Sequence, residues 1–211
     1  FSGYDEKFPC RTEPKGSDIC CKKFLWRILM SKFKMQKASA EILDKLIKPV
    51  SSITGSHHEG FLLTAGCGTE REQWNTMTAG WGSIGFLWNK LTAAVYIRPT
   101  RYTSEFTDRE DYMTLSFFEE NDSWAKDMLA FCGSVSGRDA DKAKKTGLKP
   151  VMLEDGVIAF EQAKTVLVCR KLYRSEFDMD LFVDPQIIID SYPKKDFHYV
   201  YICEIVSVYT K

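Results

Sequence analysis

The stretch Asn75–Thr103, NTMTAGWGSIGFLWNKLTAAVYIRPTRYT, decides how the rest of this chain is interpreted. It begins with short hydroxyl and amide side chains, passes through a bend rich in Gly and Trp, and enters an apolar, β-branched run. The run ends at Arg98–Thr103, which places two guanidinium groups and two threonine hydroxyls within six residues. We interpret the two ends as one site, in which the first presents backbone N–H groups to a flat polar ring and the second holds a phosphate.

Each end of the stretch has a physical reason for its role. The short side chains of Asn75–Ala79 let a ring approach the backbone, and the N–H groups of Met77–Ala79 are its candidate donors. Pro99 holds the bend between the two arginines rigid. Arg101 is the stronger candidate for the phosphate because it lies in the turn, whereas Arg98 still belongs to the strand and can point either way. The alternative for this end is an ordinary solvated strand end.

A GxGxxG string, Gly80-Trp-Gly82-Ser-Ile-Gly85, lies inside the stretch, and Glu105 follows about 20 positions later. A dinucleotide-binding turn of this kind has to open a helix. Asn89-Lys90 interrupts the potential helix, and β-branched residues follow at once. We therefore favour a glycine-rich bend between two barrel strands over a Rossmann turn.

Short strands and turn signals recur along the chain, and this pattern favours a β-barrel with helical additions. Helices are predicted at 101–109 with Thr103 as N-cap, at 123–131, and at 138–146 with Gly147 ending the helix. Asp155-Gly156 predicts a tight hairpin turn. Strands are predicted at 61–65, 74–79, 91–98, 112–118, 165–173 and 199–209.

The charge of the 211-residue chain sums to zero but is unevenly distributed. Residues 1–50 carry 11 Lys+Arg and 6 Asp+Glu, whereas residues 51–211 carry 18 and 23. The main body lacks the basic excess that nucleic-acid binding requires, and no apolar run is long enough to span a bilayer. We expect residues 1–44 to be a partly disordered extension with one basic amphipathic helix inside 22–48. That helix has two alternatives, a docked or non-native segment and a membrane-surface or partner helix.

The seven cysteines are odd in number and form no CxxC pair. Cys169 and Cys203 lie in apolar runs and are interpreted as small buried hydrophobic residues. This usage favours thiols in a reducing, cytoplasmic compartment over a disulfide framework. No metal site is predicted, because His57-His58-Glu59 has no third ligand spaced nearby.

Five separated stretches, in the same order, resemble the flavin reductase-like FMN-binding family. They are Leu62–Gly66, Asn75–Gly82, Arg98–Thr103, Ser136–Asp139 and Asp196–His198. The resemblance covers the chain from about residue 45 to residue 211. It implies a mostly β fold, the FMN-binding split β-barrel with short helical additions, in a homodimer with FMN near the subunit interface.

The resemblance also implies an activity, NAD(P)H-dependent reduction of flavin by hydride transfer, with NADH or NADPH and flavin as partners. One alternative is an electron carrier similar to flavoredoxin that does not use NAD(P)H. Another is a binding module with a degenerate, empty site, against which the intact Asn75, Thr78, Arg101 and Thr103 argue. In hydride transfer to a flavin the cofactor supplies the chemistry and the protein supplies position and electrostatics.

Site residues follow from both lines of reasoning. The resemblance assigns the phosphate role to Arg101–Thr103 and places the loop at Ser136–Asp139 near the flavin. It also places His198 on the substrate side, as a candidate catalytic residue that follows Asp196 with one residue between them. The candidate cofactor-binding residues are Asn75, Thr76, Met77, Thr78, Ala79, Arg98, Arg101, Tyr102, Thr103, Ser136, Arg138 and Lys142.

Overall fold

The computed structural model describes residues 34–37, 60–119 and 122–211 of the chain. The strands of this part are β1 Lys34–Lys37, β2 Phe61–Gly66, β3 Trp74–Ala79, β4 Gly82–Leu87, β5 Lys90–Ile97, β6 Tyr112–Phe117, β7 Pro150–Met152, β8 Ile158–Phe160, β9 Thr165–Glu176 and β10 Tyr199–Thr210. The α-helices are α1 Tyr102–Arg109, α2 Ser123–Ser134, α3 Lys142–Thr146 and α4 Pro185–Ser191. Short 3₁₀ turns occur at Arg71–Gln73 and Met179–Leu181.

One antiparallel sheet organises the described residues. Its strands follow the order β3-β2-β6-β9-β10-β5-β4, and β7 with β8 forms a separate hairpin. The long strand β10 pairs with β5 along its first half and with β1 along its second half. The sheet curls around one apolar core to which strands from its whole width contribute, including Leu63, Val95 and Cys203.

The strand β2 is buried on both faces, which explains why it lacks the alternation of a surface strand. Phe61 and Leu63 point into the barrel core, whereas Leu62 packs outward against a second cluster that includes Met128 of α2. Fully burying side chains of this size contributes about 1.5–3 kcal/mol each. Because α2 covers this outer face, its C-terminal end is fixed next to β3, where the candidate site lies.

Several local predictions are confirmed. Asp122 begins α2, and its side chain accepts a hydrogen bond from the N–H of Trp124 at 2.9 Å. Gly147 ends α3 with φ 77°, a conformation that favours glycine. The turn at Gly156 joins β7 and β8, with a hydrogen bond of 2.9 Å to the carbonyl of Leu153.

The glycine-rich segment forms the strand β4, which pairs with β5. The Rossmann interpretation is therefore wrong, and the predicted bend is replaced by a hairpin. Trp88 and Asn89 form the tip, and both have positive φ angles, 52° and 58°. Two such residues in succession are typical of the tight turn that matches strand twist.

Three helix predictions need correction. Residues 34–37 form a strand that pairs with the end of β10, so the helical periodicity of the sequence is misleading there. The rest of the segment 22–48 lies outside the described residues. The domain boundary at residue 44 stays a prediction. Arg101, not Thr103, is the N-cap of α1. Only Lys142–Thr146 of the predicted helix 138–146 is helical, because Asp141 caps it by accepting from the N–H of Lys144 at 3.0 Å.

The four cysteines in the described part of the chain divide into two groups. Cys67 is disulfide-bonded, so the prediction of thiols throughout is wrong for this residue. Cys132, Cys169 and Cys203 are reduced and buried. The cytoplasmic location stays a prediction. Among the described residues, no helix is long and apolar enough to cross a membrane.

Candidate functional site

Two cavities of about 230 Å³ each lie on either side of Arg101, which contributes to the lining of both. We call the first the aromatic cavity; it is lined by Met77, Thr78, Ala79, Gly80, Trp81, Tyr96, Arg98, Arg101 and His198. We call the second the basic cavity; it is lined by Asn75, Thr100, Arg101, Tyr102, Thr103, Ser134, Val135, Ser136, Gly137 and Lys142. Residues from both ends of the stretch Asn75–Thr103 therefore line the aromatic cavity.

Arg101 is held by the carbonyl end of α2. Its two terminal nitrogens donate to the carbonyl of Gly133 at 2.6 Å and to that of Cys132 at 3.3 Å. The last carbonyls of a helix have no donor within the helix, so an arginine is a suitable partner there. Burial lowers the pKa of Arg101 from its ordinary value, and the Cys132 thiol opposes this effect.

Lys142 meets the same helix end from α3. It is only 5% exposed, and its ammonium group donates to the carbonyl of Thr76 at 2.7 Å and to that of Cys132 at 2.9 Å. Burial lowers its pKa to about 8, with a smaller lowering by Arg101 and an opposing effect of the Cys132 thiol. Burial raises the pKa of the Cys132 thiol to about 11, so this thiol stays protonated at neutral pH.

The basic cavity has positive charge and hydroxyl groups but no carboxylate. Neither Arg101 nor Lys142 forms an ion pair with any described residue, and no Asp or Glu is among the lining residues. The buried Thr103 accepts a hydrogen bond from the Asn75 side-chain amide at 2.7 Å. Thr103 lies in the first turn of α1, where backbone N–H groups lack acceptors within the helix. Such a set of donors suits an anion.

The strand β3 divides its side chains between the core and the aromatic cavity. Met77, Thr78 and Ala79 line the cavity as predicted. The hydroxyl of Thr78 donates to the carbonyl of Leu129 at 2.5 Å, which ties β3 to α2. Thr76 is fully buried and its hydroxyl bonds within the sheet, so only its carbonyl, through Lys142, takes part in the site.

Arg98 does not join the basic cavity, which corrects its predicted place beside the phosphate. It lies at the end of β5, forms an ion pair with Asp196 at 2.7 Å, and donates to the carbonyl of Ser191 at 2.8 Å. Its guanidinium carbon lies 5.1 Å from the ring centroid of Tyr192. The strand end and the helix cap point in different directions, so Arg98 lines only the aromatic cavity, whereas Arg101 lines both cavities.

Arg138 lies at the surface and not in either cavity lining. It forms an ion pair with Glu105 and stacks over Tyr102 at 4.5 Å, so its predicted contact with the ligand is replaced by a contact with the cavity wall. Ser136 lines the basic cavity, and its hydroxyl accepts from the N–H of Arg138 at 3.2 Å. The predicted loop is therefore near the site, but Lys142 is its inward-facing cation.

His198 is 7% exposed and faces the aromatic cavity. Its Nδ1 lies 2.8 Å from the hydroxyl of Tyr192, and its ring lies 5.2 Å from that of Trp81. Burial lowers the pKa of His198 to about 4, Arg98 lowers it further, and Asp196 raises it. The histidine is therefore neutral at physiological pH.

Sequence reasoning missed two important partners. The carbonyl of Cys132 accepts hydrogen bonds from both Arg101 and Lys142. The only sequence signal for this role is that a helix end needs donors. Tyr192 lies in the polar segment between β9 and β10 and packs on the ring of Phe197 at a centroid distance of 4.8 Å. A buried tyrosine needs a hydrogen-bond partner, but its spacing does not indicate which one.

Among the described residues, no group of three or more His, Cys, Asp or Glu side chains could hold a metal ion. No protein-family model matches the chain, and no curated protein matches it significantly. Solved structures are similar. A flavoredoxin from Methanosarcina acetivorans matches with TM-score 0.54 and 20% identity over 72% of this chain and 68% of its own.

Two further solved structures are also similar to this chain. An FMN-binding protein from Thermus thermophilus matches with TM-score 0.52 and 23% identity over 71% of this chain and 69% of its own. An FMN-binding domain of a flavin reductases-like enzyme from Shewanella baltica matches with TM-score 0.54 and 15% identity over 85% of this chain and 78% of its own. This chain has the flavin reductase-like split-barrel fold. The predicted fold class is therefore confirmed.

Proposed function

We propose that this protein binds FMN across the two cavities, with the phosphate in the basic cavity and the ring system in the aromatic cavity. The observation that carries the proposal is the basic cavity, where two cations, the buried Lys142 and the half-buried Arg101, lack a carboxylate partner among the described residues. A buried charge without a partner is costly. A phosphate dianion would compensate both cations at once.

The residues present fit such a ligand. Forked guanidinium donors, an ammonium group and hydroxyls are the groups that bind phosphate oxygens. Next to them, the aromatic cavity offers the small residues Ala79 and Gly80 and the rings of Trp81 and Tyr96. Arg101 joins the two, which suits an elongated ligand with an anion at one end and a flat ring at the other. The similar structures that are FMN-binding proteins support the choice of FMN.

We further propose that NADH or NADPH reduces the flavin. Bound FMN supplies the hydride-accepting ring. The protein's part is to hold the ring against β3 and to leave its open side to a second flat molecule. Trp81, which is 52% exposed, stands at that side next to His198. Because His198 is neutral, it orients a ligand by hydrogen bonding and does not add a charge.

Arg101→Lys tests the phosphate assignment because it keeps a cation and removes the fork. A charge-assisted hydrogen bond is worth about 1.5–3 kcal/mol, so FMN affinity should fall about ten- to a hundredfold. Riboflavin lacks the phosphate and should lose much less. Equal losses for FMN and riboflavin, or no loss for either, would contradict the assignment. Arg138→Lys, at the surface, is the matched control.

An anaerobic visible spectrum tests the activity. Purified protein with FMN should show flavin bands that bleach on addition of NADH or NADPH. Bands that persist with both nucleotides would indicate an electron carrier similar to flavoredoxin. A protein that never acquires bands from FMN would contradict flavin binding.

We propose a homodimer as well, on the basis of the hairpin between β4 and β5. Phe86 and Trp88 are 66% and 55% exposed, and Leu87 lies between them. An exposed group of large apolar side chains is typical of an interaction surface. Sedimentation should give twice the chain mass, and Phe86→Lys with Trp88→Lys should yield monomers. A monomeric parent protein would contradict this proposal and would leave the flavin proposal intact.

A further inference from the structure

The hydrogen bond between Tyr192 and His198 can be assigned a direction. Both side chains are buried, Tyr192 to 3% exposure, and the hydroxyl lies 2.8 Å from Nδ1. Burial raises the pKa of Tyr192 and lowers that of His198 to about 4, so both groups are neutral near pH 7. A neutral imidazole carries one proton, on one of its two nitrogens.

The tyrosine hydroxyl is the donor. Among the described residues, His198 is the only hydrogen-bond partner of the Tyr192 hydroxyl. If Nδ1 donated, the hydroxyl hydrogen would have no acceptor in the described part of the chain, which is costly for a buried group. Donation by Tyr192 leaves Nδ1 without a proton. The imidazole proton then lies on Nε2.

His198 Nε2 opens to the aromatic cavity. Among the described residues, the only buried side-chain nitrogen or oxygen without a partner is Ser116 Oγ. His198 Nε2 likewise has no hydrogen-bond partner among these residues, so it is accessible and not enclosed. The aromatic cavity, which His198 lines together with Trp81 and Tyr96, provides this access.

Among the described residues, Tyr192 and not the nearby Asp196 is the hydrogen-bond partner of the His198 ring. Asp196 is held by Arg98, whose terminal nitrogen lies 2.7 Å from the carboxylate. Phe197 packs on the rings of Tyr192 and Phe182. The partner of His198 Nδ1 is thus a neutral phenol and not a carboxylate.

From these contacts we infer that Tyr192 is a positioning residue, which fixes His198 as a neutral Nε2–H donor facing the aromatic cavity. The cavity therefore selects a planar ligand that presents a hydrogen-bond acceptor, such as a carbonyl oxygen, at this point. The carboxamide of a nicotinamide has this chemistry. The ligand part of the inference rests on the proposed function, whereas the tautomer does not.

The test is ¹⁵N NMR of protein with labelled histidine at pH 7. Only His57 and His58 add further signals, and His198→Gln identifies those of His198. We expect a protonated Nε2 and an unprotonated Nδ1. Tyr192→Phe should give a mixture of tautomers, and Tyr173→Phe, at an exposed site, should change nothing. A wild-type His198 that is charged or protonated on Nδ1, or a Tyr192→Phe spectrum identical to the wild type, would overturn the inference.

Nicotinamide added to FMN-loaded protein tests the ligand part. It should shift the His198 Nε2 signal, and Tyr192→Phe should weaken its binding about two- to tenfold, the effect of one neutral hydrogen bond. Equal binding to both proteins would refute the selection of an acceptor. If the protein does not bind FMN at all, the flavin proposal fails, and the tautomer measured in the flavin-free protein still decides the role of Tyr192.

Discussion

The buried ammonium group of Lys142 should make the protein more stable as the pH rises above neutrality. Its pKa is about 8 in the folded protein against an ordinary 10.5, and one pKa unit corresponds to about 1.4 kcal/mol, so the charged form costs the folded state about 3 kcal/mol at pH 7. Between the two pKa values the unfolded chain holds the proton and the folded chain does not. Stability therefore rises with pH in this window.

Lys142→Met isolates this effect from other groups that titrate at high pH. Urea unfolding of both proteins gives the difference in free energy of unfolding at each pH. From pH 7 to pH 10 the difference should move by about 2 kcal/mol in favour of the wild type. Lys145→Met, at an exposed position of the same helix α3, is the matched control for the loss of a lysine side chain.

A difference that stays constant from pH 7 to pH 10 would refute the reasoning, because the ammonium group would then be paired or solvated. Ligand binding provides a second arm. If FMN phosphate contacts this cation, FMN affinity in the wild type should fall as the pH rises past about 8. It should be independent of pH in Lys142→Met over the same range. A fall of the same size in both proteins would show that another group is responsible.

Two further predictions concern the ends of the pH range and of the chain. The pKa of His198 is about 4 in the folded protein against an ordinary 6.5, so the unfolded chain binds a proton first as the pH falls. The folded protein should therefore lose about 3 kcal/mol of stability between pH 6.5 and a pH below 4. His198→Gln should remove this loss in acid unfolding curves, and a wild-type curve that matches the variant would contradict the prediction. Deleting residues 1–37, and β1 with them, should leave FMN affinity unchanged, because β1 pairs with Ser207–Thr210 of β10 and not with the cavity residues. A large loss of FMN binding in a truncated protein that still folds would show that the domain boundary is misplaced.

Local chemistry explains which parts of the fold are predictable. The β-branched run of β5, the aspartate cap of α2 and the glycine that ends α3 each act within a few residues. For such features the sequence neighbours are also the spatial neighbours. The two corrected strands are the reverse case. The short β1 belongs to the segment 22–48, whose apolar residues have helical spacing, yet pairing with β10 decides the conformation of its four residues. The strand β4 forms because it pairs with β5.

The residue types that form the site could be predicted from the sequence, but the directions in which their side chains point could not. Lys142, Lys144 and Lys145 are three lysines of one short helix, and nothing in their spacing shows that only Lys142 is buried. Its burial follows from the position of the α2 carbonyl end, which is set by packing on β2 and β3. Arg98 is the same kind of case, because its partner Asp196 lies almost one hundred residues away in the sequence.

The carbonyl end of α2 is the feature that unites these observations. A helix C-terminus carries partial negative charge and attracts cations. Here it receives two of them, Arg101 and Lys142, through dipoles and not through a carboxylate. A carboxylate would have neutralised the cations, whereas carbonyls hold them in place and leave their full charge. The basic cavity therefore keeps about two positive charges near neutral pH, which is the charge that a phosphate dianion requires.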